Sequence, residues 1–224
     1  NDLKAKSKKI STFLEQQITK ENDINETSIP FYILSFLPRD VPIMLSASSP
    51  VRDFLTYSGS LALTRRCFSF RGASGIDGNL SLAIGISLVI GPLVLICGDL
   101  SFLHDSNAML FKQPSMNPLI IILIDNKGGG IFKQLNLDKF YKGDIDQLFI
   151  MPQPVDPLKL ASIHGIPSRD VYDVDNFRSA IEWGLNLTGI VLIRVCTNPE
   201  QDHLLRKDII NCLKKFFINY PHKE

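Results

Sequence analysis

From Gly78 to Gly98 the chain carries no charged side chain, so this stretch must be hidden from water, inside a protein core or in lipid. Its length approaches the ~20 residues of a membrane-spanning helix. Gly91-Pro92 divides it, because glycine releases a helix and proline lacks the N–H that would continue one. Before the break, Asn79–Ile90 has apolar residues at helical i, i+3, i+4 spacing; after it, Leu93–Cys97 is a short continuous apolar run. Helix, turn, buried strand is the expectation, with no membrane span. Two further runs follow: Leu119–Ile124 is likewise uncharged, and Gly189–Val195 is apolar but for Arg194 near its end, the pattern of central parallel strands covered by helices.

Helical spacing fills the intervals: Asp105–Gln113, Pro157–His164 and Asn176–Leu187, the last preceded by Asp173 and Asp175 as caps. Shorter strands are expected at Pro42–Ser46, Cys67–Phe70 and Val171–Val174, a helix around Ile10–Ile18 and a terminal amphipathic helix at Gln201–Phe217. Alternation of this kind predicts an α/β fold, a parallel sheet flanked by helices with right-handed crossovers. Composition agrees with an ordinary globular chain of 224 residues, 45% hydrophobic and 21% charged. A net charge of +1 leaves no strong field for nucleic acid or an anionic membrane, so function must reside in a local site. Cys67, Cys97, Cys196 and Cys212 are widely spaced and read as reduced core thiols, and the histidines form no zinc pattern. A first residue of Asn1 suggests a piece of a longer protein.

In an open parallel sheet, ligands bind beyond the carboxyl ends of the strands. Two of those ends are unusual. Leu93–Cys97 runs into Gly98-Asp99-Leu100-Ser101, and Leu119–Ile124 runs into Asp125-Asn126-Lys127-Gly128-Gly129-Gly130-Ile131. About one helical crossover separates Asp99 from Asn126, so adjacent strands would bring a carboxylate and an amide together. That pairing suits Mg2+, which takes hard oxygen ligands and is held by one or two carboxylates plus the phosphates of a bound cofactor. The glycines would let a backbone carbonyl and several N–H groups approach a diphosphate, and Ser101 would stand at a helix start. On spacing alone the alternative weighs equally: Asp99 caps its helix and Asp125–Gly130 is a loose turn.

Gly98-Asp99, a gap, then Asn126 resembles the thiamin diphosphate signature, although Leu100 and Asp125 depart from its general form. The Gly-Asp-Leu-Ser version, together with Phe68-Ser69-Phe70-Arg71-Gly72-Ala73-Ser74-Gly75-Ile76-Asp77-Gly78 upstream and Gly128-Gly129-Gly130-Ile131-Phe132 downstream, is similar to the 2-succinyl-5-enolpyruvyl-6-hydroxy-3-cyclohexene-1-carboxylate synthase family of menaquinone and phylloquinone synthesis. Ser48-Ser49-Pro50-Val51-Arg52-Asp53 and Met151-Pro152-Gln153 extend the likeness. The resemblance runs from about Ser46 to Val195 and corresponds to the family's C-terminal, diphosphate-binding domain. It implies residues 1–40 as the end of a preceding region, a linker and first helices, 41–200 as the cofactor-binding domain, and 201–224 as its terminal helix.

The resemblance also implies a reaction: thiamin diphosphate-dependent decarboxylation of 2-oxoglutarate and addition of the succinyl carbanion to isochorismate, a transferase chemistry. It implies Mg2+, with Mn2+ as an alternative, held by Asp99, Asn126 and Gly128. Ser74, Gly75, Ile76, Leu100, Ser101, Gly129 and Gly130 would contact the cofactor, Ile76 supporting its bent conformation. Arg52, Arg71 and Ser48 would meet the substrates, since a guanidinium fork suits a carboxylate. Ile131, with Phe132 and Leu135, would form an apolar wall near the reacting carbon. Ala47 and Phe70 stand where the family usually has Asn, which leaves the tuning of the substrate end open. The pyrimidine-binding domain, bearing the activating glutamate, would come from a second subunit of a homodimer or homotetramer, and this fragment alone would be inactive. A plastid is the expected compartment, from the photosynthetic flavour of Phe102–Asp105 and a composition rich in Ile, Lys and Asn; bacterial cytoplasm is the alternative. Two other readings remain: another thiamin diphosphate enzyme of acetolactate synthase or 2-oxo acid decarboxylase type, and a non-catalytic α/β interaction domain.

Overall fold

The computed structural model describes residues 2–20, 22–70, 72–113, 116–135, 144 and 146–218. Arg71 lies outside the described residues. The chain begins with α1 (Asp2–Ile18) and α2 (Ile29–Phe36), then alternates through β1 (Ile43–Leu45), α3 (Ser49–Tyr57), β2 (Cys67–Ser69), α4 (Asn79–Ile90), β3 (Leu93–Gly98) and α5 (Asp99–His104). It continues through β4 (Leu119–Asp125), α6 (Pro157–Ile163), β5 (Ser168–Val171), α7 (Val174–Leu185), β6 (Ile190–Cys196) and α8 (Pro199–Ile218).

The strands form one sheet of order β2-β1-β3-β4-β6-β5, parallel throughout. Alternate side chains enter opposite layers, as the period of two requires. Ile43, Val94, Ile96, Ile120, Ile122, Val191 and Ile193 pack with α2 and α7 residues Ile33, Phe177 and Ile181. Met44, Leu93, Leu95, Leu119, Ile121, Ile190 and Leu192 pack with α4 and α5 residues Leu80, Ile84 and Phe102. The central strands β3 and β4 are thus buried on both faces, which is why their sequences are uninterrupted apolar runs, while β6 admits one charge, Arg194, near its carboxyl end. No helix among the described residues is long and apolar enough to cross a membrane.

Strands β1 and β3 are hydrogen-bonded neighbours, while β2 lies outside β1. The chain therefore reverses its direction of travel across the sheet between β1 and β3, the switch point where connections diverge and leave a crevice. Strand β4 pairs with β3 in the register Gly98↔Ile124, so Asp99 and Asp125-Asn126 emerge side by side at that rim.

Three local expectations are corrected. Asp105–Gln113 is not an α-helix: Ser106–Phe111 forms a 3-10 turn. Asp105 instead accepts from the Ser81 N–H (2.8 Å) and hydroxyl (3.1 Å), capping the first turn of α4, whose own N-cap is Gly78 and has no side chain to do so. The strand expected at Val171–Val174 ends at Val171, because Asp173 caps α7 by accepting from Asn176 N at 2.7 Å and makes Val174 its first residue. Of the four free thiols only Cys97 is buried; Cys67, Cys196 and Cys212 are exposed, standing at sheet ends and on the outer face of α8. Helix α3 was not anticipated, and the helix expected to begin at Ser101 is the six-residue α5, which opens with Asp99 itself.

Candidate functional site

At the carboxyl end of β3, Asp99 is buried and its two oxygens take separate backbone donors: Oδ1 accepts from Leu100 N and Oδ2 from Gly128 N, each at 2.7 Å. The second bond ties the β4 loop to β3 and sets Gly128 against the carboxylate. Burial pushes the Asp99 carboxyl up to about 6, with Asp125 adding to the rise and the two N–H donors opposing it. A carboxylate held this way favours a cation beside it.

Asn126 follows β4 and is 8% exposed. Its Nδ2 donates to Glu26 Oε1 at 2.6 Å, while its Oδ1 is buried with no hydrogen-bond partner. An orphaned buried amide oxygen is a costly arrangement unless something occupies its lone pairs. The loop that follows is cut to fit: Gly128 has φ 125 and a Cβ there would strike the Ile150 carbonyl, while a Cβ on Gly130 would come within 2.5 Å of Asn126 Nδ2. Lys127 itself has φ 64 and pairs with Asp125 at 3.1 Å. Asp125 also faces Arg194 at 3.7 Å, so the Asp125/Lys127 charge pair clamps the end of β4.

One expectation about this loop is narrowed. The amides of Gly128, Gly129 and Gly130 donate within the protein, to Asp99, Ile150 (2.6 Å) and the Gly128 carbonyl (2.9 Å). They hold the loop on the Asp146–Ile150 turn and are not left pointing outward for a diphosphate.

Ser101 is buried in α5, and its hydroxyl donates to the Ile76 carbonyl at 3.1 Å. That bond draws the Gly72–Gly78 loop to the same rim. Ile76 is 42% exposed and so is not consumed by core packing. Ser74 is exposed, its hydroxyl donating to Phe70 O at 3.0 Å, and Gly75 is half-buried with Asp77 where a Cβ would go. Leu100 is half-buried beside Ser101, and Ile131 half-buried in the Gly130–Gln134 turn. Phe132 packs on Phe149 with ring centroids 5.7 Å apart, and Leu135 is exposed.

On the other side of the switch point, Ser48 follows β1 with φ 74 and ψ −138, exposed and making no capping bond although it sits at the N-cap of α3. A non-glycine residue held there stores backbone strain, which concentrates at functional positions. Arg52 is exposed in the first turns of α3. The rim therefore gathers Ser48, Arg52, Asp99, Ser101, Asn126 and Gly128 from three neighbouring strand ends.

These residues fit a divalent cation bound with a diphosphate. Among the described residues there is no group of three or more His, Cys, Asp or Glu side chains suited to a metal. One carboxylate, one amide oxygen and a backbone carbonyl form a sparse, hard-oxygen set, the kind Mg2+ accepts when phosphates and water complete its shell. A small cleft opens at this point, lined by Asp99, Leu103, Asp125, Lys127 and Gln153. The larger cavities lie between α1 and α3 and beside the start of α8, and contain none of the candidate residues.

Sequence reasoning overlooked Glu26 and Arg206. Arg206 on α8 donates to Glu26 Oε2 at 2.6 Å and to both oxygens of Asp53 on α3. All three are buried. No local pattern reveals them, since their partners lie on distant parts of the chain.

Comparison with known proteins gives the arrangement its context. A 2-succinyl-5-enolpyruvyl-6-hydroxy-3-cyclohexene-1-carboxylate synthase of Prochlorococcus marinus is 56% identical over 215 residues, covering 96% of this chain and 38% of its own length. One from a Synechococcus strain is 48% identical over 200 residues, covering 89% of this chain and 35% of its own length. The chain thus spans a little over a third of the curated relatives it matches. Among solved structures, benzoylformate decarboxylase from Polynucleobacter necessarius superposes with a TM-score of 0.62 at 18% identity, over 77% of this chain and 33% of its own. A Mycobacterium smegmatis protein described as thiamin diphosphate-dependent gives 0.61 at 19%, over 79% and 32%. Both share the fold. Residues 56–195 match the family model for the thiamine pyrophosphate enzyme C-terminal TPP-binding domain, and with Asp99 and Asn126 at adjacent strand ends inside that span, the chain belongs to this family of thiamin diphosphate-binding domains.

Proposed function

We propose that this chain is the cofactor- and metal-binding part of a 2-succinyl-5-enolpyruvyl-6-hydroxy-3-cyclohexene-1-carboxylate synthase, a transferase using 2-oxoglutarate and isochorismate. The observation that carries the reading is the pair at the β3 and β4 ends, Asp99 with its buried carboxylate and Asn126 with its unpartnered Oδ1, in a chain 56% identical to a protein of that name. Asp99, the Asn126 Oδ1 and the Gly128 carbonyl would hold Mg2+, or Mn2+, against the diphosphate. Ser74, Gly75, Ile76, Leu100, Ser101, Gly129 and Gly130 would line the cofactor, with Ser101 locking the Ile76 loop in place through its hydrogen bond.

When bound, thiamin diphosphate supplies the thiazolium carbon that accepts the charge left by loss of carbon dioxide from a 2-oxo acid. The residues of this chain bind and orient. Arg52 offers a permanently charged, exposed fork to a substrate carboxylate, and Ser48 holds its hydroxyl free of capping at the same rim. Arg71 is assigned to the second carboxylate from its motif. Ile131 contributes to the apolar side of the pocket and helps exclude water from the reacting carbon.

Exposed Leu82, Leu88, Val89, Leu110 and Phe111 form an apolar face on α4 and the turn packed against it, which supports a second domain packing on this chain: the pyrimidine-binding domain of another subunit in a homodimer or homotetramer. This chain alone is accordingly proposed to be inactive. The relatives compared here come from Prochlorococcus and Synechococcus, which favours bacterial cytoplasm over a plastid as its compartment.

Calorimetric titration of the full-length protein with thiamin diphosphate, with and without Mg2+, tests the site. Binding that requires Mg2+ and is lost in Asp99→Ala is expected, followed by turnover of 2-oxoglutarate with isochorismate. Metal-independent binding, or binding untouched by Asp99→Ala, would sink the assignment.

A further inference from the structure

An asparagine can serve as a metal ligand only through its oxygen, so its NH2 must be turned away and given an acceptor. Here that acceptor is Glu26 Oε1, 2.6 Å from Asn126 Nδ2. Glu26 lies 100 positions away in the chain, 2% exposed, in the segment before α2. Its other oxygen accepts from Arg206 at 2.6 Å. A carboxylate engaged by a guanidinium on one side and an amide on the other accepts at both oxygens and donates at neither. The atom of Asn126 that faces Glu26 must therefore be nitrogen, and the oxygen must face the rim, where it has no protein partner.

We propose that Glu26, anchored by Arg206, is a positioning residue that fixes the amide of Asn126 with its oxygen toward the divalent metal. The anchoring is rigid. Arg206 also holds both oxygens of Asp53, on the helix that carries Arg52, and lies 5.9 Å from the Tyr57 ring. The Glu26 backbone N–H is in turn held by Asp202 Oδ1 at 3.0 Å. Outer partners of this kind orient metal ligands, and their loss typically lowers metal affinity ~10–100-fold. The metal end of the site thus depends on a residue that belongs to no cofactor motif.

This inference rests on the metal-site reading above, and the experiment separates the two. Mn2+ binding to the full-length protein with thiamin diphosphate is followed by electron paramagnetic resonance of free Mn2+, for wild type, Glu26→Gln, Asn126→Ala and the double variant. Glu26→Gln keeps size but adds an NH2 to the pair, so that the Asn126 amide is free to turn its oxygen inward. A fall of ~10–100-fold in Mn2+ affinity is expected for Glu26→Gln, and little further loss when it is added to Asn126→Ala. An unchanged affinity, or an equal fall in the Asn126→Ala background, overturns the positioning role while leaving the metal site standing. No effect of Asn126→Ala itself overturns both. If Glu26→Gln does not fold, Glu26→Asp, which withdraws the carboxylate by one methylene, is read in the same cycle with the same two outcomes.

Discussion

At the scale of single residues, the rim is defined by atoms that have no room to be otherwise. A methyl group on Gly130 would press on the Asn126 amide at 2.5 Å. Gly130→Ala should therefore weaken Mn2+ binding while costing about 1–3 kcal/mol in stability, checked by the same resonance titration and by urea denaturation. Gly128→Ala meets a different obstacle, a backbone conformation at φ 125 that L side chains rarely adopt and the Ile150 carbonyl in the way. Its expected cost is about 1–3 kcal/mol, with displacement of the N–H that Asp99 accepts. The glycine run was legible in the sequence as a close-approach loop, but its purpose was not. The direction in which its N–H groups point is set by the Asp146–Ile150 turn against which the loop folds, and no local signal encodes that contact.

At the scale of elements, α8 does more than close the chain. Its Arg206 sits between Glu26 and Asp53, so removing the guanidinium leaves two carboxylates buried without a counter-charge. Arg206→Met should destabilise the protein by about 3–5 kcal/mol, measured by urea denaturation at neutral pH. The boundaries of α4 at Asn79–Ile90 coincide with its apolar periodicity and the Gly91-Pro92 stop, because both signals are local. The 3-10 turn at Ser106–Phe111 was not legible, since the carboxylate expected to open that helix is recruited by Ser81 on α4. Asp105→Ala should accordingly behave as loss of an α4 cap, about 0.5–2 kcal/mol, visible as faster amide exchange at the start of α4 and not within residues 106–111.

At the scale of the whole molecule, buried acids outnumber buried cations among the described residues. Glu26, Asp53 and Asp202 surround the single Arg206, and Asp202 Oδ2 has no partner. Burial, reinforced by Glu26, pushes the Asp202 carboxyl up to about 7 from its ordinary value of 3.8. Between those two values the native protein holds a proton that the unfolded chain has released, so stability falls as pH rises through that window. The half-buried Asp156 and the exposed Glu200 shift the other way, but their effect lies below the ordinary carboxylate range and is weakened by solvent. Asp202→Asn keeps the acceptor for the Glu26 N–H and removes the charge. Asp53 and Asp99, pushed up to about 6 by burial, add a decline of the same sign up to that value, so the variant should flatten the decline above it and raise stability at pH 8 by about 1–3 kcal/mol, read from urea midpoints at about pH 6 and pH 8; an unchanged slope there would show that Asp202 is not the group responsible.

The apolar runs by themselves determined the layered α/β sheet, because a strand buried on both faces leaves little place for charge, and Gly98-Asp99 and Asn126 pointed to the cofactor rim because strand ends in a parallel sheet converge. Only the tertiary structure decided how the Asn126 amide is turned. That orientation depends on Glu26, which meets Asn126 across 100 residues of chain, and on Arg206, which meets Glu26 across 180: a hydrogen bond between distant segments exists only once the sheet has brought them together, whereas burial periodicity is written in neighbouring residues.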